Sequence, residues 1–257
     1  VVAREGLDPL RRPRWVRRDL ATLRRQAPAN DPFPVTRWYP IAKDRDDDAG
    51  VARGAYFHQD LLVARAIFER APARHVDVGS RIDGFVAHVA SFREIEVLDI
   101  RPLASPIAAI RFVQCDITDV PPGLLGMADS VSCLHALEHF GLGRYGDRVD
   151  HDGWRRGLDG LGRLLMPGGT LYLSVPTGEV QRVEFNAHRV FSLPFLRDLV
   201  ARDYEIEQLA FVDDAGDLAD HLDPYGADAE RSFGAHHGCA IWTLRKKPTD
   251  AGGSDAR

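Results

Sequence analysis

Apolar positions settle into a regular period only from Tyr56 onward. Leu61, Leu62, Ala64, Ala66, Ile67 and Phe68 recur at helical spacing through Glu69, and Pro72 ends that helix. Beyond it the period changes. Residues 75–78, 95–99, 110–115, 130–134, 170–175, 205–211 and 240–244 are short apolar runs of strand length. Helical patterns separate them at roughly 84–92, 135–140, 151–165 and 192–202. Strands alternating with helices predict a mostly parallel seven-stranded sheet with helices on both faces. The last two runs are joined by a long loop at 212–238 with no long helical pattern, which predicts an antiparallel final strand. No internal repeat interrupts this order.

The stretch before Tyr56 is different. Arg11, Arg12, Arg14, Arg17, Arg18, Arg24 and Arg25 make residues 1–30 basic, with Trp15, Leu20 and Leu23 as a weak helical face. Such a segment reads either as a solvated helix or as a lid over an anionic substrate or a contact with lipid head groups. Pro28, Pro32, Pro34 and Pro40, then the acidic run from Asp44 to Asp48, mark irregular connection. The expected organisation is a basic arm and linker at 1–54, a domain at 55–246, and a small, polar, disordered tail at 247–257.

A chain of 257 residues suffices for one large α/β domain, and its net charge of −5 supplies no reason to expect nucleic-acid binding. No apolar run approaches the roughly 20 residues of a membrane helix, and the N-terminus carries no charged-then-apolar signal pattern. Cys115, Cys133 and Cys239 are too scattered for a zinc ribbon or a disulfide framework and read as small buried hydrophobes. The expectation is a soluble cytoplasmic protein.

The first strand ends at Asp77, turns through Gly79 and opens a helix near Gly84; the next strand ends in Asp99. A strand, a glycine turn, a helix and a strand ending in an acid form a βαβ unit that can hold a nucleoside-bearing cofactor, its ribose hydroxyls bonded by the second acid. Arg81 stands where a dinucleotide fingerprint has its second glycine, so close approach of a pyrophosphate is disfavoured and a cofactor without phosphate is easier to accommodate. Asp116 ends the third strand, where it could accept from an adenine amino group while Ile117 packs on the ring; its plain alternative is a turn cap.

This order of segments resembles class I S-adenosylmethionine-dependent methyltransferases over about residues 56–246. The stretch 128–134 resembles that family's fourth strand, and 164–171, with Pro167-Gly168-Gly169, the helix, turn and fifth strand that follow. The stretches 75–85, 133–145 and 181–191 further resemble a methyltransferase-like bacterial family labelled as a domain of unknown function, whose members often accompany polysaccharide-synthesis genes. The resemblance implies a Rossmann-like fold, S-adenosylmethionine as cofactor held by Asp77, Gly79, Ser80, Arg81, Gly84, Asp99, Ile100, Asp116, Ile117, Leu134 and His135, and transfer to an oxygen or nitrogen of a small or glycan-linked acceptor. Arg81 must then turn away from the methionine moiety or pair with its carboxylate.

Leu134-His135-Ala136-Leu137-Glu138-His139 follows the fourth strand, at the sheet edge where ligands of open α/β sheets bind. Methyl transfer needs a positioned nucleophile and a group to take its proton, and a histidine near neutral pKa suits that role. His139 is the first choice as base, His188 the alternative, with Glu138 orienting a histidine. Arg144, Tyr145, Asn186 and Arg189 are expected to line the acceptor pocket, with Asp147 in the same flexible loop as Arg144, while Tyr56 and His58 are placed to close over the cofactor. Two other readings stay open: a binding or scaffolding protein without turnover, because of Arg81, and a zinc hydrolase through His135, Glu138 and His139. No metal residues are assigned; His236 and His237, which with a carboxylate could hold an ion, read as surface loop.

Overall fold

Alternation of side chains across the strands decides the layers. The computed structural model describes residues 14–248, so Arg11, Arg12 and the tail from residue 249 lie outside it. The chain divides into two units, Val1–Val51 and Ala52–Arg257. In the first, α1 (Arg14–Gln26) forms where Trp15, Leu20 and Leu23 predict a helical face, but buries none of its residues. Arg45 stacks 4.4 Å from the centroid of the Trp15 ring and lies 3.6 Å from Asp19.

The second unit starts with α2 (Ala55–Arg70), which ends in a left-handed Ala71 whose N–H bonds the Ile67 carbonyl just ahead of Pro72. β1 (His75–Val78), a kinked turn into α3 (Ala87–Ala90), β2 (Ile95–Asp99), β3 (Ile110–Gln114) and β4 (Ala128–Leu134) follow. After α4 (Gly153–Leu164) come β5 (Leu165–Thr177), the hairpin β6 (Arg182–Glu184) and β7 (His188–Val190), α5 (Leu193–Val200), β8 (Tyr204–Val212), β9 (Leu218–Ala219) and β10 (Gly238–Lys246). The main sheet runs β3-β2-β1-β4-β5-β10-β8-β9. Its first five strands are parallel, and β10 is antiparallel to both β5 and β8. All seven expected strands are present. The sheet has eight because the loop after β8 folds back as the two-residue β9. Among the described residues no helix is long and apolar enough to cross a membrane.

Val76, Val78, Val131, Cys133, Leu171, Leu173 and Trp242 face α4 and α5 on one side of the sheet. Val97, Leu134, Tyr172 and Ile241 pack against α2 and α3 through Val63, Ile67 and Val89 on the other. The strand order reverses between β1 and β4, which leaves a crevice at their carboxyl ends. Gly160 brings α4 onto the turn after β3: a Cβ there would sit 2.1 Å from the Ile117 carbonyl oxygen.

One line of polar groups runs through the apolar α2 face and ties β1 to β4. His75 Nδ1 lies 2.8 Å from Ser130 Oγ and Nε2 3.2 Å from Ser132 Oγ. Ser132 Oγ donates to Asp77 Oδ1 at 2.5 Å, as does Ser80 Oγ at 2.6 Å, and Ser80 N–H bonds Asp77 Oδ2. Ser80 Oγ also accepts the Leu134 N–H. All five of these side chains are buried. Burial pushes the His75 pKa down to about 3 and that of Asp77 up to about 6, the latter against the hydrogen bonds from Ser132 and Ser80, which favour the ionised form.

The two shifts oppose each other in the pH dependence of stability. His75 is held neutral, so its contribution is lost as pH falls from the ordinary 6.5 towards about 3. Asp77 is held protonated, so its contribution is lost as pH rises from 3.8 through about 6. Between those limits one proton is gained and one lost, and the pair leaves stability level. Asp77→Asn removes the acid and exposes the histidine slope: the urea unfolding free energy should then fall by about 1.4 kcal/mol per pH unit from pH 6 to 4, relative to the unaltered chain. Parallel pH curves for the two proteins would contradict this coupling.

Candidate functional site

A cleft of about 1150 Å³ opens at the carboxyl ends of β1 to β4. Gly79, at φ +73, turns the chain out of β1, and a Cβ there would stand 2.9 Å from Ala136 Cβ, so the wall is bare backbone. Asp99 closes β2 and Ile100, Asp116 and Ile117 extend the same wall, with His135, Glu138 and His139 opposite.

The predicted cofactor residues separate into two groups. Gly79, Arg81, Asp99, Ile100, Asp116, Ile117 and His135 line the cleft. Asp77, Ser80 and Leu134 do not: their polar groups are consumed by the bonds that join β1, the glycine turn and β4. Gly84 also falls outside, packed beside the Asp60 carboxylate of α2. Arg81 is turned aside, its guanidinium bonded to Asp83 at 3.1 and 3.0 Å and 5.4 Å from the centroid of the Tyr56 ring. Asp116 caps its own turn, with Oδ1 accepting from the Thr118 N–H and hydroxyl. Tyr56 lines the cleft and stacks 4.9 Å from His135, whereas His58 does not reach it.

Asp99 has a partner that its position in the sequence gave no reason to assign. Arg101 donates to both of its carboxylate oxygens, at 3.0 and 2.6 Å, and its backbone N–H adds a third bond. The same guanidinium stacks 4.4 Å from the centroid of the Tyr145 ring, which Arg144 approaches at 5.1 Å. Tyr145 in turn meets His139 edge-on at 5.4 Å. The loop after β4 is thus drawn across the cleft from the Asp99 wall to the histidines. Asp147 lines the cleft and shapes this loop, accepting the Gly141, Gly143 and Tyr145 N–H groups.

Glu138 is buried between two histidines, with Oε1 3.3 Å from His135 Nδ1 and 3.5 Å from His139 Nε2. Their surroundings push the two rings apart. For His135, burial opposes the charged form, but Cys239 and Glu138 outweigh it and hold the pKa well above the ordinary value. For His139, burial dominates with help from Arg144 and His188, and the pKa is lowered despite Glu138 and the Ala187 carbonyl. His139 Nδ1 lies 2.7 Å from that carbonyl oxygen, which can only accept, so Nδ1 carries the proton and Nε2 is the basic atom. The two rings thus differ in proton affinity while sharing one carboxylate.

The residues expected on the acceptor side fall in different places. Arg144, Tyr145 and His188 line the cleft. Arg189 is buried and spends its guanidinium on the Glu138, Phe140 and His151 carbonyls, holding the His139 turn in place. Asn186 is exposed at the tip of the β6–β7 hairpin, outside the cleft. The zinc-peptidase arrangement does not form, because Leu137–His139 is a single tight turn that points Glu138 between the histidines. Instead, among the described residues, the group with ligand atoms within 4.8 Å of one another is Glu184, His188 and His237. His237, expected as surface loop, lines the cleft. Nothing in local spacing joins these three, since His237 lies 49 positions after His188.

Residues 123–206, about a third of the chain, match the family described as Caenorhabditis protein of unknown function, DUF268. The match spans two of the stretches that carry the sequence resemblance, 133–145 and 181–191, but not the glycine turn. No curated protein matches the chain in sequence. Among solved structures, the [4+2]-cyclase SpnF is similar with a TM-score of 0.52 and 16% identity, over 78% of this chain and 86% of that one. The N-methyltransferase NodS from Bradyrhizobium japonicum WM9, in complex with S-adenosyl-L-homocysteine, has a TM-score of 0.50 and 13% identity, over 75% and 88%. The 1,6-didemethyltoxoflavin-N1-methyltransferase of Burkholderia thailandensis has a TM-score of 0.49 and 19% identity, over 73% and 78%. At these identities the likeness is one of fold, and a fold that carries both a cyclase and a methyltransferase leaves the chemistry to the site. The second unit has the Rossmann-like class I methyltransferase fold.

Proposed function

We propose that the cleft binds S-adenosylmethionine and that the chain catalyses methyl transfer to an oxygen or nitrogen of a small-molecule or glycan-linked acceptor. The observation that carries this reading is the pairing, across one switch-point cleft, of Asp99 with the His139–Glu138 pair. The fit is supported by the bare Gly79 turn, the acid at the end of β2 and a volume of about 1150 Å³, just above the usual range for ligand sites of about 300–1,000 Å³. NodS, crystallised with S-adenosyl-L-homocysteine, supports the choice of cofactor.

When bound, the cofactor supplies a sulfonium methyl open to in-line attack. This chain's residues then have three tasks. Asp99 accepts ribose hydroxyls in competition with Arg101. Tyr145 and Arg144, latched over the cleft, exclude water and orient the acceptor. His139 Nε2 takes the acceptor's proton, and Glu138 at 3.5 Å stabilises the imidazolium that results. His135 occupies the other flank of Glu138, with Nδ1 3.3 Å from the same carboxylate oxygen. The glycan-linked acceptor rests on the sequence resemblance alone.

One observation favours a second reading, a methyltransferase-like binding protein without turnover: both oxygens of Asp99 already hold Arg101. Calorimetry with S-adenosylmethionine and S-adenosylhomocysteine separates the two. For the enzyme, Asp99→Ala should weaken binding about 10–100-fold, the worth of a charged hydrogen bond. No binding to the unaltered chain at millimolar ligand, with binding gained in Arg101→Ala, would establish the second reading instead.

Turnover assayed against a panel of hydroxyl and amine acceptors tests the base. His139→Ala should lose about 10²–10⁴-fold in kcat while cofactor affinity is kept. A base must be unprotonated, so kcat/KM should rise with pH through a limb lying below the ordinary histidine value of 6.5. Arg144→Ala removes a cation that lowers this pKa and should move the limb to higher pH. Unchanged turnover in His139→Ala would transfer the role to His188.

A further inference from the structure

The β6–β7 hairpin and the start of β10 bring together three groups that the methyl-transfer reading does not use as a set. We infer that Glu184, His188 and His237 form a binding site for a divalent first-row transition metal at the hairpin end of the cleft. Glu184 and His188 face each other directly in the register of the hairpin. His237 enters β10 on a backbone fixed by Asp214, whose carboxylate accepts the His236 and His237 N–H groups at 2.8 and 2.7 Å. His188 Nε2 lies 3.2 Å from Glu184 Oε2, and His237 Nε2 3.1 Å from Glu184 Oε1.

Those separations are compatible with a shared ion, and all three ligand atoms lie within 4.8 Å of one another. Ligand bonds of about 2.1 Å put neighbouring donor atoms about 3.0 Å apart in octahedral and about 3.4 Å apart in tetrahedral geometry. Two imidazoles and one carboxylate are the donor set of zinc, manganese and iron(II) sites with open positions, and the nitrogen ligands select against magnesium and calcium. His188 Nε2 is buried without a hydrogen-bond partner, a cost that coordination would remove. His188 and His237 both line the cleft, so the open positions of the ion would face its interior. The rings of His188 and His139 are 6.5 Å apart, which sets the ion beside the basic end of the cleft.

Arg182 is the competitor. Its Nε lies 2.8 Å from Glu184 Oε1 and its Nη2 2.8 Å from His237 Nε2, so a guanidinium neutralises the carboxylate where the ion would sit. It also donates to the Val180 and His236 carbonyls, which can retain it when an ion enters. The site stands on its own geometry and does not depend on methyl transfer. If both hold, the ion would act as a Lewis acid on an acceptor hydroxyl and make it easier to deprotonate.

The test is titration of the tag-free, chelator-treated chain with Co²⁺, followed by its visible absorption, and with Zn²⁺ by calorimetry, both without cofactor. One equivalent should bind. Glu184→Gln and His237→Ala, at partly exposed positions, should each weaken binding at least 10-fold with the circular dichroism spectrum unchanged. Arg182→Ala should tighten it. Equal Co²⁺ uptake by the unaltered chain and a His188→Ala/His237→Ala double variant would overturn the site, as would weaker binding in Arg182→Ala. Loss of cofactor binding in separate calorimetry would bear only on the methyl-transfer reading.

Discussion

The buried hydrogen-bond chain from His75 through Ser132, Asp77 and Ser80 to the Leu134 N–H holds the rest in register. It joins the two strands between which the sheet order reverses, and it does so inside an apolar face where an unpaired polar group would cost about 1–3 kcal/mol. Because Ser80 follows the glycine turn and Leu134 precedes His135, the same bonds fix both walls of the cleft. The chain continues beyond them. His135 N–H bonds the Ser174 carbonyl and hydroxyl on β5, and Ser174 Oγ donates to Gln59 of α2. The residues that make the cleft possible are therefore distinct from those that face it.

A similar division governs the chemistry on the opposite wall. Glu138 serves two histidines whose environments differ: His135 is enclosed by Cys239 and Glu138, His139 by Arg144, His188 and a backbone carbonyl. One carboxylate thus lies beside two rings whose pKa values are pushed in opposite directions. Arg189 keeps the turn that carries them by tying down three carbonyls at once. Its burial among carbonyls is the physical reason that an arginine between aromatic residues became a brace rather than a substrate contact.

The cleft can also be read as a competition among cations. Arg101 occupies Asp99, Arg81 is withdrawn by Asp83, and Arg182 occupies Glu184. Two of the acids at the cleft, Asp99 and Glu184, are therefore each paired with an arginine, and Arg81 is paired with Asp83 outside it. The cation–π contact between Arg101 and Tyr145 links the first of these pairs to the loop over the cleft.

Sequence alone settled the elements whose cause is local. The periods of 2 and 3.6, Pro72 at the end of a helix, and a glycine directly after a strand that ends in an acid are all properties of neighbouring residues, and they sufficed for the parallel sheet, its antiparallel last strand and the wall bearing Asp99. That His139 and Glu138 would line the cleft was legible because they closely follow a strand end. What the sequence could not determine is which polar groups remain free once the chain is folded. Asp77, Ser80 and Arg189 matched a site pattern and were consumed by structure, because a buried polar group must be satisfied by whatever the fold brings near it. Arg101 acquired its importance from the Tyr145 loop far along the chain, and Glu184, His188 and His237 became a group only when β10 inserted between β5 and β8. Distance along the chain carries no information about such encounters; the tertiary structure alone supplies them.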